Sequence, residues 1–112
     1  MHELFQKYRD IIQNYQIEIW ESEPAAYRFK SKIILTDGSV LFVKDYLLPS
    51  GRKYAYHWQG VDGKLIIRWD NAPHWKNIAT YPHHKHITSV KHVEESVEVF
   101  LDDVLEVIRE KL

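Results

Sequence analysis

Three histidines lie within four residues in the last third of the chain, directly after a proline. His83, His84 and His86 follow Pro82, with Lys85 between the last two. The unperturbed pKa of imidazole, ~6.5, lies close to neutrality, so histidine can both remove and return a proton. Two imidazoles and a lysine can therefore cleave RNA through its 2′-hydroxyl, a reaction that needs no metal. We predict the three histidines as the acid/base set and Lys85 as a contact for phosphate.

Two other interpretations of the histidines remain open. They can bind a transition metal, with His57 or His74 as a further ligand, although their spacing matches no zinc motif. They can also form a solvated loop without a chemical role. We expect a site with no metal and no cofactor.

A charged pair precedes the histidine segment. Arg68 and Asp70 flank Trp69 in an apolar run, so on a strand they share one face and Trp69 takes the other. Asp70 would then orient a histidine, and Arg68 would contact phosphate. The alternative is a surface ion pair, which contributes little to stability. A loop bounded by Pro73 and Pro82 should return the histidines to the sheet beside this pair.

Alternating aromatic residues form another candidate for substrate binding. Tyr54, Tyr56 and Trp58 share one face of a predicted strand, and His57 lies on the other. Aromatic side chains on a sheet can stack on unpaired RNA bases, but they are also common in a sheet's core. Tyr56, His57 and His74 are therefore further candidates for substrate contacts. If the aromatics are buried, His57 shares the exposed face with Arg68.

Charge is unevenly distributed along the chain. The net charge of −1 divides into −3 for residues 1–25, +7 for residues 26–93 and −5 for residues 94–112. A basic middle indicates an anionic partner, and we expect RNA. The alternative is that acidic helices flank a sheet rich in lysine.

The elements that position these residues follow from apolar periodicity. A stripe from Leu4 to Tyr15 predicts a helix over residues 2–14. Asp37-Gly38 predicts a two-residue hairpin that places Lys30 opposite Asp45 and Ile33 opposite Phe42. The predicted strands cover residues 16–23, 27–35, 40–47, 53–59 and 64–70, followed by a long ordered loop over 71–86.

The C-terminal helix has two predicted starts. Ser96 can act as its N-cap, or the helix begins nearer Leu101 with residues 93–99 extended. The predicted fold is α+β: an antiparallel meander of about four to six strands packed against an N-terminal and a C-terminal helix, in one domain over 1–112.

Composition excludes several classes of protein. The chain has no cysteine, which rules out disulfides and thiolate metal sites. No apolar run approaches the length of a membrane span, and the first residues lack the apolar centre of a signal peptide. We therefore expect no membrane association and a cytoplasmic location.

The middle of the chain resembles the TumE-type toxins of prokaryotic toxin–antitoxin modules. The resemblance is close over residues 53–86 and extends to the length and layout of the whole chain. It implies a toxin and a partner, a helix-turn-helix antitoxin encoded beside it. One departure is Trp75, where a second histidine is expected after His74. The motifs that carry the resemblance are Tyr54-x-Tyr56-His57-Trp58-Gln59, Gly63-Lys64-Leu65-Ile66, Arg68-Trp69-Asp70-Asn71-Ala72-Pro73-His74 and Pro82-His83-His84-Lys85-His86.

Together these observations predict the toxin of a type II module, acting as a metal-independent endoribonuclease. One alternative is a nucleic-acid-binding protein that blocks its target by occupancy without catalysis. Another is a metal-dependent nuclease or hydrolase with histidine ligands. The expected partners are RNA and the antitoxin, and a homodimer is a further option.

Overall fold

The computed structural model describes all residues, 1–112, and shows one seven-stranded antiparallel sheet with a short helix at each end of the chain. Every strand pairs with its neighbours in sequence, so the predicted α+β meander is confirmed. The sheet has more strands than the expected four to six, because residues after the long loop add β6 and β7. The elements are α1 His2–Lys7, β1 Ile12–Glu23, β2 Ala26–Leu35, β3 Val40–Leu48, β4 Gly51–Gln59, β5 Leu65–Asp70, β6 His84–Ile87, β7 Val93–Glu95 and α2 Leu101–Lys111.

The predicted N-terminal helix over residues 2–14 is too long. Helix α1 ends at Lys7, and β1 already begins at Ile12. Phe5 and Tyr8 still face the core, as the apolar stripe predicted. Ile12, however, pairs with Leu35 on β2, so strand pairing overrides the helical periodicity there.

The predicted register of the β2–β3 hairpin is wrong by one residue. Leu35 donates its N–H to the carbonyl of Ser39, which leaves three residues in the turn instead of two. Gly38 occupies the left-handed region at φ +85°, as a three-residue hairpin turn requires. Lys30 consequently pairs with Lys44, and it is Phe29 that lies opposite Asp45.

One face of the sheet forms the core beneath α1 and α2. Tyr54, Tyr56 and Trp58 are all buried on this face, which confirms that they are core residues. Because Tyr56 is buried, it cannot stack directly on an RNA base. Other buried side chains of the same cluster are Phe29, Ile33, Leu41, Val43, Ile67, Trp69, Leu101, Val104, Leu105 and Ile108.

The opposite face of the sheet, hereafter the outer face, carries the basic residues. Alternation along each strand and pairing between strands place positive side chains side by side on β2, β3, β4 and β5. The acidic helix α2 lies on the other side. The outer face holds Arg28, Lys30, Lys32, Lys44, Lys53 and Arg68.

Helix α2 begins at Leu101, the later of the two predicted starts. Ser96 is buried and does not cap it. Instead, the Asp103 carboxylate accepts the backbone N–H groups of Val99 and Phe100 at 3.2 and 3.1 Å. Neither helix has the length and apolar character needed to cross a membrane.

Candidate active site

Strand β6 brings two histidines back to the strand that carries Arg68 and Asp70. Asp70 pairs with His84, and Arg68 pairs with His86. Directly paired residues of neighbouring antiparallel strands point to the same face. Asp70, His84 and His86 therefore meet on the outer face, as the returning loop predicted.

The loop over residues 71–83 is anchored at both ends. The Asn71 side chain donates to the carbonyl of Arg52 at 2.8 Å and accepts the N–H of Tyr54 at 3.0 Å. At the other end, the Thr80 hydroxyl donates to the His83 carbonyl at 2.6 Å. These bonds fix the points at which the chain leaves β5 and enters β6, so β6 has a defined register.

Backbone carbonyls fix the tautomers of both histidines. His84 Nδ1 lies 3.0 Å from the carbonyl of Pro82, and His86 Nδ1 lies 2.9 Å from the carbonyl of Val90. A carbonyl oxygen only accepts, so both Nδ1 atoms carry a hydrogen. The Nε2 atoms of both rings consequently point at the Asp70 carboxylate.

The Asp70 carboxylate lies between the two Nε2 atoms and is itself held in place. Its Oδ1 lies 3.0 Å from His84 Nε2, and its Oδ2 lies 3.6 Å from His86 Nε2. The same oxygens accept the N–H of Ala72 at 3.0 Å and Arg68 Nε at 3.2 Å. The contact of His84 Nε2 with Asp70 is within hydrogen-bond distance, whereas the longer contact of His86 Nε2 is not.

Of the two rings, His86 is the one in a position to act as a base. Burial lowers the pKa of His86, although the Val90 carbonyl and the Asp70 carboxylate act in the opposite direction. A lowered pKa keeps this imidazole neutral at neutral pH, with a free lone pair on Nε2. The neighbouring ring, His84, lies 4.9 Å away between centroids, with its Nε2 within hydrogen-bond distance of Asp70.

Trp75, the residue that departs from the expected histidine, covers this pair. Its indole makes edge contacts with His84 and His86 at centroid distances of 6.3 and 6.2 Å. The two imidazoles are only 1% and 8% exposed. The loop thus forms a lid over the cluster, and Trp75 itself is 38% exposed on the solvent side.

A groove of about 690 Å³ runs alongside the cluster at the start of β4 and the end of β5. Ala55 pairs with both Lys44 and Asp70 on its two neighbouring strands, and its small side chain leaves space between them. Asp70 is the one acidic residue in the lining. The lining residues are Lys44, Ser50, Arg52, Lys53, Tyr54, Ala55, Arg68, Asp70, Asn71, Ala72, Pro73, His74, Tyr81 and Pro82.

Arg68 links the cluster to His57. Its Nη1 lies 3.3 Å from His57 Nδ1, while its Nε holds Asp70. Burial, together with the Arg68 charge, lowers the pKa of His57. His57 therefore accepts a hydrogen bond as a neutral ring, and the expected sharing of a face by His57 and Arg68 is found.

The structure places two other candidates on the helix side of the sheet. His83 Nδ1 lies 2.9 Å from the Tyr54 hydroxyl. Lys85 donates to Glu98 at 3.0 Å. Burial raises the pKa of Glu98, but the hydrogen bonds from Lys85 and Trp69 outweigh it and lower the pKa.

The structure therefore brings four candidates together on the outer face, Arg68, Asp70, His84 and His86, with His57 beside Arg68 and His74 at the groove. It leaves His83, Lys85 and the buried Tyr56 on the other side.

Sequence reasoning missed several contributors to the site. Lys44, Arg52 and Lys53 line the groove. The β3–β4 register, carried across to β5, would have placed Lys44 beside Ala55 and Asp70. The carbonyls of Pro82 and Val90 leave no signal in side-chain types, because any residue provides a carbonyl.

These features define a small α+β protein with a buried carboxylate–imidazole cluster next to a basic groove. A family model described as "Toxin TumE" matches residues 1–112, the whole chain. The chain belongs to the TumE toxin family, and a toxin of this kind has a cognate antitoxin as its partner. No curated protein and no solved structure matches the chain.

The lowered pKa values predict how stability depends on pH. Burial is the first cause of the lowered pKa of His57, His83 and His86. The folded protein therefore binds fewer protons than the unfolded chain just below ~pH 6.5, so the free energy of unfolding should fall from pH 7 to pH 5. Urea denaturation at several pH values measures this. His57→Gln and His86→Gln should each flatten the dependence, whereas Lys91→Gln should leave it unchanged. A dependence that neither histidine variant alters would contradict the assignment.

Proposed function

We propose that this toxin belongs to a type II toxin–antitoxin module and is a metal-independent endoribonuclease. The observation that carries the proposal is the arrangement at Asp70. One imidazole, His86, has a pKa lowered by burial and would act as the base, and its neighbour His84, whose Nε2 lies 3.0 Å from the Asp70 carboxylate, would act as the acid. A base and an acid side by side are what cleavage through the 2′-hydroxyl requires.

RNA would bind across the outer face and enter the groove. Lys44, Lys53 and Arg68 border the groove and are placed to contact successive phosphates. His74, exposed on the loop, lies at the same rim. Acidic residues at this surface would repel the RNA backbone. The acidic helix α2 lies on the opposite side of the sheet and therefore does not interfere.

The reaction follows from the positions of the two rings. His86 Nε2 removes the proton of the 2′-hydroxyl, and the 2′-oxygen forms a bond to phosphorus. The bond from phosphorus to the 5′-oxygen breaks, and His84 returns a proton to that oxygen. The products are a 2′,3′-cyclic phosphate and a 5′-hydroxyl. Arg68 stabilises the charge on the phosphoryl oxygens, and Asp70 orients both rings.

Access to the rings requires movement of the lid. Trp75 covers both imidazoles, so the 2′-hydroxyl reaches Nε2 only when the segment around Trp75 moves away. The fixed ends of the loop at Asn71 and Thr80 allow its middle to open without changing the β5–β6 register.

We also propose that the protein binds its cognate antitoxin and is located in the cytoplasm. A homodimer formed by pairing of sheet edges is disfavoured. Edge strand β1 carries Glu18, Glu21 and Glu23 and no basic residue, and edge strand β7 carries Glu94 and Glu95. Pairing of the Glu18–Glu23 half of β1, or of β7, with the same segment of a second copy would place carboxylates close together. A homodimer would therefore avoid these segments.

Substitution of the cluster tests the catalytic roles. His84→Gln, His86→Gln and Asp70→Asn should each lower the rate of RNA cleavage by about 10²–10⁴-fold, because each removes the acid, the base or their orientation. The assay is cleavage of a defined RNA in EDTA, with mass analysis of the product ends and melting temperatures as a folding check. His2→Gln, on exposed α1, should retain full activity.

Three results would contradict the proposal. Cleavage that EDTA abolishes and added metal restores indicates a metal-dependent nuclease. RNA binding without any product indicates a protein that acts by occupancy. Full activity in the His84 and His86 variants assigns catalysis elsewhere.

Salt dependence tests the binding face separately. With the inactive His84→Gln protein, the logarithm of RNA affinity should fall linearly with the logarithm of salt concentration, by about 0.7 per phosphate contact. Lys44→Gln and Lys53→Gln should each lessen that slope. Lys111→Gln, on α2, should not. An affinity that is the same at low and physiological salt would remove the electrostatic argument.

A further inference from the structure

The same three side chains have the geometry of a metal centre. Asp70, His84 and His86 each offer one ligand atom, and these atoms all lie within 4.8 Å of one another. Ligand atoms bound at ~2.0–2.1 Å around a tetrahedral ion lie about 3.3 Å apart. The contact of 3.0 Å from His84 Nε2 to Asp70 Oδ1 and the contact of 3.6 Å from His86 Nε2 to Asp70 Oδ2 fall on either side of that value.

The surroundings of the ligands also match those of metal centres. Histidine ligands of metals donate their other ring N–H to a carbonyl or carboxylate, which fixes the tautomer and directs the free nitrogen at the ion. The Pro82 and Val90 carbonyls hold His84 and His86 in this way. Two imidazole nitrogens and a carboxylate that converge without a proton or a metal ion between them would repel one another.

We propose that Asp70, His84 and His86 bind one divalent transition-metal ion of the zinc or cobalt class. Three protein ligands leave at least one coordination position for water. Arg68 holds Asp70 Oδ2 at 3.2 Å, and its positive charge opposes a cation. The occupant must therefore have high affinity for imidazole nitrogen, which excludes magnesium and calcium, whose preferred ligands are oxygens.

Occupancy would regulate the enzyme, and this consequence rests on the proposed function. The ion takes the Nε2 lone pair that His86 uses as a base and replaces the proton that His84 delivers as an acid. The metal-bound form should therefore be inactive in cleavage through the 2′-hydroxyl.

Metal binding can be measured without any assay of activity. Calorimetric titration of the full chain with Zn²⁺, and the visible absorption of bound Co²⁺, should show one ion per chain. His84→Gln, His86→Gln and Asp70→Asn should each weaken Zn²⁺ binding at least tenfold. His2→Gln and His92→Gln alter exposed histidines outside the cluster and should bind as the wild type does. Mg²⁺ should give no saturable binding.

The outcomes separate this inference from the proposed function. The metal site is overturned by the absence of saturable Zn²⁺ binding, or by binding that survives in the His84→Gln/His86→Gln double variant. A folding check by melting temperature accompanies each variant. If Zn²⁺ binds and inhibits cleavage, both proposals are supported. If Zn²⁺ binds and stimulates cleavage, the metal site stands while the inhibitory role and the metal-independent mechanism both fail.

Discussion

The pairing of β6 with β5 decides which side chains meet at the candidate site. Asp70 lies opposite His84, and Arg68 lies opposite His86. A shift of one residue would send both histidines to the helix side and bring His83 and Lys85 to the outer face, because side chains alternate along a strand. The bonds of Asn71 and Thr80 at the ends of the loop, together with the carbonyls that receive the histidine Nδ1 hydrogens, hold this register. The chemistry of the cluster is thus a consequence of backbone geometry.

The same alternation of side chains gives the two faces of the sheet different compositions. Aromatic residues such as Tyr54, Tyr56 and Trp69 form the core beneath the acidic helix α2, while most lysines and arginines of β2 to β5 occupy the outer face. The uneven charge along the sequence therefore becomes two faces of opposite character. A sheet built in this way presents a basic surface without exposing its core. Asp70 is a local exception, and its carboxylate is what orients the imidazoles within that surface.

Much of this arrangement could be predicted from residue patterns, and the predictions that were wrong have physical causes. Alternation along β5 placed Arg68 and Asp70 correctly opposite Trp69, and the two prolines correctly indicated a loop that returns the histidines. The helix over residues 2–14 failed because the apolar spacing near Ile12 fits both a helix and a strand, and pairing with β2 decides between them. The hairpin at Asp37-Gly38 failed because the same dipeptide fits a turn of two or three residues. Alternation predicts that His84 and His86 share a face and that His83 takes the other, but which face each takes could not be predicted, since it depends on the register of β6 against β5.

The tautomers of His84 and His86 are the central claim, because both the acid–base and the metal proposals depend on Nε2 facing Asp70. Long-range ¹H–¹⁵N NMR of the histidine rings measures them directly at neutral pH, with assignment from the His84→Gln and His86→Gln variants. We expect a protonated Nδ1 in both rings and an unprotonated Nε2 in His86. Rings that carry their hydrogen on Nε2 and leave Nδ1 bare would contradict the account, because no lone pair would then point at Asp70.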